Sequence, residues 1–172
     1  MSNPDIATSG GDGTRQAFLD LWLERIESED YLRLDTPLAG AAEALDNLRS
    51  EFSLHLITLR SDGPRLRDQL SALDIDRFFD LIVCRDSRDV LSKLDLVDQL
   101  PAEPRVTAVV GDSEADVELA HALNAPCIGI SVGVRSVDFL KTAGCEQIVD
   151  DLEELPAVIR SLRSGPVQPT NV

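Results

Sequence analysis

The run from Arg105 to Gly133, RVTAVVGDSEADVELAHALNAPCIGISVG, constrains the fold of this 172-residue chain more than any other part of it. Val106 to Val110 is a continuous apolar stretch that predicts a buried strand. Gly111-Asp112-Ser113 predicts a turn, Glu114 to about Leu123 a helix, and Cys127 to Ser131 a second buried strand. Strands that are apolar on both faces belong in a parallel sheet covered by helices on either side. Asp112 and Asp116 then fall at the carboxyl end of a parallel strand, where open α/β sheets hold their ligands.

The flanking sequence continues the same alternation. Arg15 to Glu29 sets Phe18, Leu21, Trp22, Leu23 and Ile26 at helical spacing, which predicts an amphipathic helix whose apolar face, Trp22 included, packs on the core. A helix is predicted over about Ala39 to Arg49, a strand over Phe52 to Leu59 that ends at Thr58, a helix from Gly63-Pro64 through Leu73, and a strand over Leu81 to Cys84. Asp86 to Leu100 contains a helical segment bearing Lys93. After the central run come a short helix near Ser136 to Ala143, a strand around Gln147 to Val149, and a helix from about Leu152 to Leu162. Strands alternating with helices imply βαβ crossovers, hence a doubly wound parallel sheet in a three-layer α/β/α sandwich. The expected division is a degenerate N-terminal segment (1–14), one α/β core (15–163) and a flexible C-terminal tail (164–172).

Charge and cysteine usage narrow the function. Sixteen Lys and Arg against 31 Asp and Glu give a formal net charge of -15, which repels a nucleic-acid backbone. Cys84, Cys127 and Cys145 are odd in number, widely spaced and set among apolar neighbours, a pattern of reduced core thiols and not of a disulfide frame or a zinc site. His55, alone within a strand, reads as a packed or edge residue. There is no apolar run long enough to span a bilayer and no basic-then-apolar leader, so the expected location is the cytoplasm, with no membrane partner.

Four features then recur in one order: a strand ending in the hydroxyl of Thr58, Lys93 before the next core strand, Gly111-Asp112, and Asp116. A hydroxyl and an ammonium converging on a carboxylate-rich strand end can hold a phosphate, while the carboxylates hold a hard cation through oxygen. Taken singly each is weak: an acidic residue in a first helical turn is an ordinary cap, and a helical lysine ordinarily faces solvent.

In that order and on those elements the residues resemble the haloacid dehalogenase-like superfamily of phosphohydrolases, over about Thr36 to Leu162. LITLRS is similar to its second motif, Lys93 to its third-motif lysine, and VVGDSEADVELAHALNAPCIGISVG to its fourth motif and the strand that follows. The resemblance implies a Rossmann-like sheet, Mg²⁺, and phosphate monoester hydrolysis through an aspartyl-phosphate. It casts Thr58 and Lys93 as phosphate-binding and catalytic residues, Asp112 as a metal ligand, and Asp116 as the supporting carboxylate on the metal side.

The first motif departs from the family pattern of an apolar strand running into Asp-x-Asp-Gly-Thr. With Asp12-Gly13-Thr14 in register, Asp12 matches the acid/base position, and Gly10, which has no side chain to attack with, occupies that of the nucleophile. The preceding Asn3 to Ser9 offers little apolar run, so the first, central strand of the family's sheet is expected to be weak or missing. Three explanations stand side by side: a wrongly assigned start or truncated gene, a catalytically inactive binding or regulatory protein, and a partner or second copy that completes the sheet. A flexible turn unrelated to the motif accounts for Gly10 to Thr14 equally well.

The spacings from Thr14 to Thr58 and from Thr58 to Lys93 leave no room for a large cap domain, so the site is expected to be open. By resemblance, capless members act on larger substrates or borrow a lid from a second subunit, so the substrate is a small phosphate ester or a phosphorylated macromolecule. A receiver domain of the response-regulator kind shares the sheet, the carboxylates and the lysine. Its acidic residues would cluster after the first strand, and here they do not.

Overall fold

Each predicted strand among the described residues contributes to a parallel pair, in two ladders. The computed structural model describes residues 28–85, 92–102, 105–145 and 147–163, together with Thr14, Ala17, Phe18, Leu21 and Arg25. In chain order these form α1 (Glu29–Leu32), α2 (Ala41–Arg49), β1 (His55–Thr58), α3 (Gly63–Ala72), β2 (Leu81–Cys84), β3 (Val109–Gly111), α4 (Glu114–Ala122), β4 (Cys127–Ile130), α5 (Val137–Ala143), β5 (Gln147–Val149) and α6 (Leu155–Arg163). Short 3₁₀ turns lie at Asp76–Phe78, Lys93–Gln99 and Leu152–Glu154. β1 pairs with β2, Thr58 opposite Cys84, and β3-β4-β5 form a second sheet with Val109 opposite Cys127 and Ile128 opposite Gln147. Among the described residues no ladder joins β1 to β3.

Alternation along the strands of the larger sheet builds three layers. Val110, Ile128 and Val149 enter one apolar cluster with Ala44 and Leu48 of α2 and Leu155 and Ile159 of α6. Their immediate neighbours Val109, Cys127 and Ile148 point the other way, into a cluster with Val117 and Ala120 of α4 and Leu140 of α5. Each Val, Leu or Ile among them stabilises the fold by about 1.5–3 kcal/mol on full burial.

Two features tie the smaller sheet to the larger. Phe52 and Leu54, on the approach to β1, pack against the α2/α6 cluster. The 3₁₀ turn Lys93–Gln99 touches β1, β2 and α4 at once, and Leu96 at its middle is 0% exposed.

Several boundaries differ from expectation for local reasons. The third strand begins at Val109 instead of Val106, because β4, its partner among the described residues, enters the ladder opposite Val109. The first strand begins at His55 instead of Phe52, because the Leu54 amide donates to the Asp80 carboxylate (3.0 Å) and not to a neighbouring strand. His55 is half-buried, its Nε2 3.3 Å from Ser53 Oγ. The Lys93 segment is a 3₁₀ turn, opened by a Ser92/Asp95 capping box and closed at Leu100, before Pro101.

The N-terminal amphipathic pattern is helical at its described positions, but Phe18 and Leu21 are 60% and 64% exposed, so these two do not pack on the core as expected. Trp22, Leu23, Ile26, the 1–13 segment with Gly10 and Asp12, and the 164–172 tail fall outside the described residues. Cys127 and Cys145 are buried thiols and Cys84 a half-buried one. No described helix is long and apolar enough to cross a membrane.

Candidate active site

The site grows out of one turn. β3 ends at Gly111, Ser113 caps α4 in extended conformation, and Asp116 at the third helical position returns its carboxylate to the cap. Oδ2 of Asp116 accepts from Ser113 Oγ (2.7 Å), Ser113 N (3.1 Å) and Asp112 N (3.2 Å). Oδ1 accepts from Lys93 Nζ at 2.5 Å. Asp116 is only 4% exposed, and the Lys93 side chain 18%. Burial makes this charge pair costly to break, since removing either partner leaves a desolvated ion. Position 111 has to be glycine for the same reason: a Cβ there would lie 2.0 Å from Asp116 Cγ.

Asp112 is held from the opposite side. Its Oδ2 accepts from the Val134 amide at 2.7 Å, and Oδ1 accepts no hydrogen bond among the described residues. The chain after β4 comes so close that a Cβ on Gly133 would sit 2.1 Å from Asp112 Cβ. One residue past Val134, Arg135 grips both carboxylate oxygens of Glu114 (2.8 and 2.6 Å), closing the loop back onto the first turn of α4. That fork of hydrogen bonds holds the Glu114 carboxyl at about 2, below the ordinary 4.5, and raises the Arg135 guanidinium in turn.

Thr58 ends β1, and its Oγ1 accepts from the Arg60 amide at 3.3 Å, which leaves the hydroxyl proton to donate elsewhere. The fold thus brings Lys93, Asp112 and Asp116 into one constellation. Thr58 belongs to the neighbouring sheet, joined to it by the 3₁₀ turn that carries Lys93. Asp12 lies outside the described residues. A cleft of about 530 Å³ near α1 and α3, lined by Leu32, Asp35 and Gln69 among others, contains none of these five.

Gly133, Val134, Arg135 and Glu114 carry no assigned role in the motif pattern of the sequence. The available signal was a glycine shortly beyond a buried strand, the usual mark of a close backbone approach.

The donor set suits a hard cation. Asp112 offers a carboxylate oxygen that accepts no hydrogen bond among the described residues, and Mg²⁺ commonly takes one or two carboxylates and completes its shell with water and substrate phosphate. Asp116 is different, because both of its oxygens are committed to the cap and to Lys93. Among the described residues no group of three or more His, Cys, Asp or Glu side chains is placed to hold a metal by itself.

Residues 6–130 match the family model of the haloacid dehalogenase-like hydrolases, a span that includes Asp12, Thr58, Lys93, Asp112 and Asp116. The chain belongs to that family. Its fold is similar to that of a presumed phosphoglycolate phosphatase from Lactobacillus delbrueckii subsp. bulgaricus, at 23% identity and TM-score 0.70 over 87% of this chain and 64% of that one. A predicted phosphatase from Clostridium acetobutylicum aligns at 22% identity and TM-score 0.74, covering 88% of this chain and 72% of that one. A haloacid dehalogenase-like hydrolase from Bacillus subtilis, solved bound to magnesium, aligns at 17% identity and TM-score 0.57, covering 72% and 55%. The chain therefore spans less than two thirds of the Lactobacillus protein. No curated protein matches it. These haloacid dehalogenase-like structures share the parallel α/β architecture, and at such identities the likeness extends to fold alone.

Proposed function

We propose that this chain is a Mg²⁺-dependent phosphohydrolase of the haloacid dehalogenase-like family, acting on phosphate monoesters. The observation that carries the reading is the partly buried Lys93–Asp116 pair beside Asp112 at the carboxyl end of β3. Asp112 would hold the cation through its open oxygen, and Asp116 keeps the turn rigid through three hydrogen bonds. A cation held there would supply positive charge where negative charge gathers on the phosphoryl oxygens.

The chain's own residues do the rest. The Lys93 ammonium, oriented by Asp116, offsets charge on the phosphate without having to reorganise. Thr58, its oxygen already engaged by the Arg60 amide, donates its hydroxyl proton to a phosphoryl oxygen. Asp12, by its place in the sequence motif, would hand a proton to the leaving oxygen and later remove one from water. With Asp12-Gly13-Thr14 in register with the motif, the position of the attacking carboxylate is held by Gly10, which has no side chain.

Gly10 favours a second reading, a protein that binds phosphate and Mg²⁺ without turnover. Losing a covalent nucleophile removes several powers of ten in rate and leaves only what binding and electrostatics contribute. Hydrolysis of p-nitrophenyl phosphate with and without Mg²⁺, repeated on Asp112→Ala, separates the two, with inorganic phosphate binding followed by calorimetry. Mg²⁺-dependent turnover lost in the variant supports the hydrolase. Mg²⁺-assisted phosphate binding without turnover supports the binding protein, and neither binding nor turnover overturns both.

A further inference from the structure

Behind the site, on the α4/α5 face of the larger sheet, two sulfur atoms meet. Cys127 opens β4 and Cys145 follows the glycine that ends α5; their Sγ atoms are 3.0 Å apart, and the residues are 2% and 6% exposed. Gly129 makes the approach possible, because a Cβ there would lie 3.2 Å from Cys145 Sγ and 2.6 Å from Ile148 Cδ1. Gly144, at φ +112, turns the chain sharply enough to bring Cys145 back under α5, where its amide donates to Leu140 O at 2.9 Å. Val117, Ala120 and Leu140 enclose the pair in an apolar cluster.

From this juxtaposition we infer that Cys127 and Cys145 are a dithiol that oxidises to an intramolecular disulfide, and that the disulfide staples the segment holding Asp112. A disulfide needs about 2.05 Å between sulfurs, so closing the gap asks for a shift of under an ångström. The residues between the two cysteines include Val134, whose backbone amide holds Asp112, and Arg135, whose guanidinium holds Glu114. Cross-linking the two ends of that excursion removes freedom from the loop without touching its hydrogen bonds.

The oxidant is a small-molecule disulfide such as oxidised glutathione, and the exchange balances. Cys145, the more exposed of the two, loses its proton and attacks one sulfur of the oxidant, giving a mixed disulfide and one released thiol. Cys127, as its thiolate, then attacks the Cys145 sulfur, forming the protein disulfide and releasing the second thiol. Two electrons leave the cysteine pair, and the two protons end on the two small thiols. Cys84 stands apart on β2, its Sγ beside α3, and serves as an internal control.

The test uses the full chain and its Cys84→Ser variant, each held in oxidised glutathione both when folded and when refolded from denaturant. Intact mass and thiol titration under denaturing conditions follow the chemistry, and amide exchange at Val134 follows the loop. Expected results are a loss of two hydrogens with no glutathione retained in the Cys84→Ser variant, a fall from three titratable thiols to one in the full chain, reversal by a dithiol reductant, and slower exchange at Val134 once oxidised. Thiols that all remain titratable under both regimes, or a disulfide involving Cys84, overturn the assignment. A disulfide that forms while Val134 exchange stays unchanged overturns the stapling. Neither readout depends on phosphatase activity.

Discussion

Gly111→Ala is the sharpest test of how the turn is built. The added methyl would sit 2.0 Å from Asp116 Cγ, 2.3 Å from Oδ2 and 2.4 Å from Cβ, so the carboxylate has to leave. It would abandon both the cap of α4 and Lys93. Loss of the cap costs about 1 kcal/mol. Separating a buried ion pair costs about 3–5 kcal/mol, toward the lower end here because Lys93 keeps a path to water through its 18% exposure. A total of roughly 4 kcal/mol, at about 2–4 °C per kcal/mol for a domain of this size, lowers the melting temperature by on the order of 10 °C.

The assay is a thermal melt followed by circular dichroism, run as a cycle with Asp116→Gly. Glycine is the partner substitution because Asp116 Cβ itself collides with the new methyl. If the damage runs through Asp116, the double variant melts close to Asp116→Gly alone. Costs that add in full would show that Gly111 serves something else and would refute the argument.

Two further predictions follow from the same geometry. Leu96→Ala empties the middle of the 3₁₀ turn where the two sheets meet, and at 0% exposure it should cost about 2–5 kcal/mol by denaturant titration, with a parallel loss of phosphate binding because Lys93 rides on that turn. The Glu114 carboxyl, held at about 2 by Arg135, should return toward 4.5 in Arg135→Gln when followed by NMR titration. Because the folded value lies below the unfolded one, the pair's stabilising contribution is complete above about pH 4.5 and is lost as pH falls toward about 2; the shift in melting is small, since both side chains are over 40% exposed.

How legible these features were depended on whether neighbours in sequence or in space decide them. Leu81–Cys84 and Gln147–Val149 were read to the residue because apolar runs flanked by turn residues leave few alternatives. The fates of Val106 and Phe52 were not legible, because a strand's first ladder bond depends on where a distant partner begins. Phe18 and Leu21 have helical spacing but no covering element among the described residues, and periodicity alone cannot say whether a face finds a partner. At the site, Asp112, Asp116 and Lys93 announced themselves by order and residue type. The Val134 amide and the Glu114–Arg135 fork could not, since a backbone donor leaves no mark in composition and each charge alone resembles any exposed one.

That no ladder joins β1 to β3 among the described residues bears on how the molecule would respond to its ligand. Thr58 belongs to one ladder, and Asp112 rides on the end of the other. A phosphate gripped by both would act as a non-covalent rivet between them, so occupancy would couple two ladders that, among the described residues, are tied by packing on the α2/α6 cluster and by the 3₁₀ turn Lys93–Gln99. Catalytic readiness and mechanical integrity would then be read from one binding isotherm.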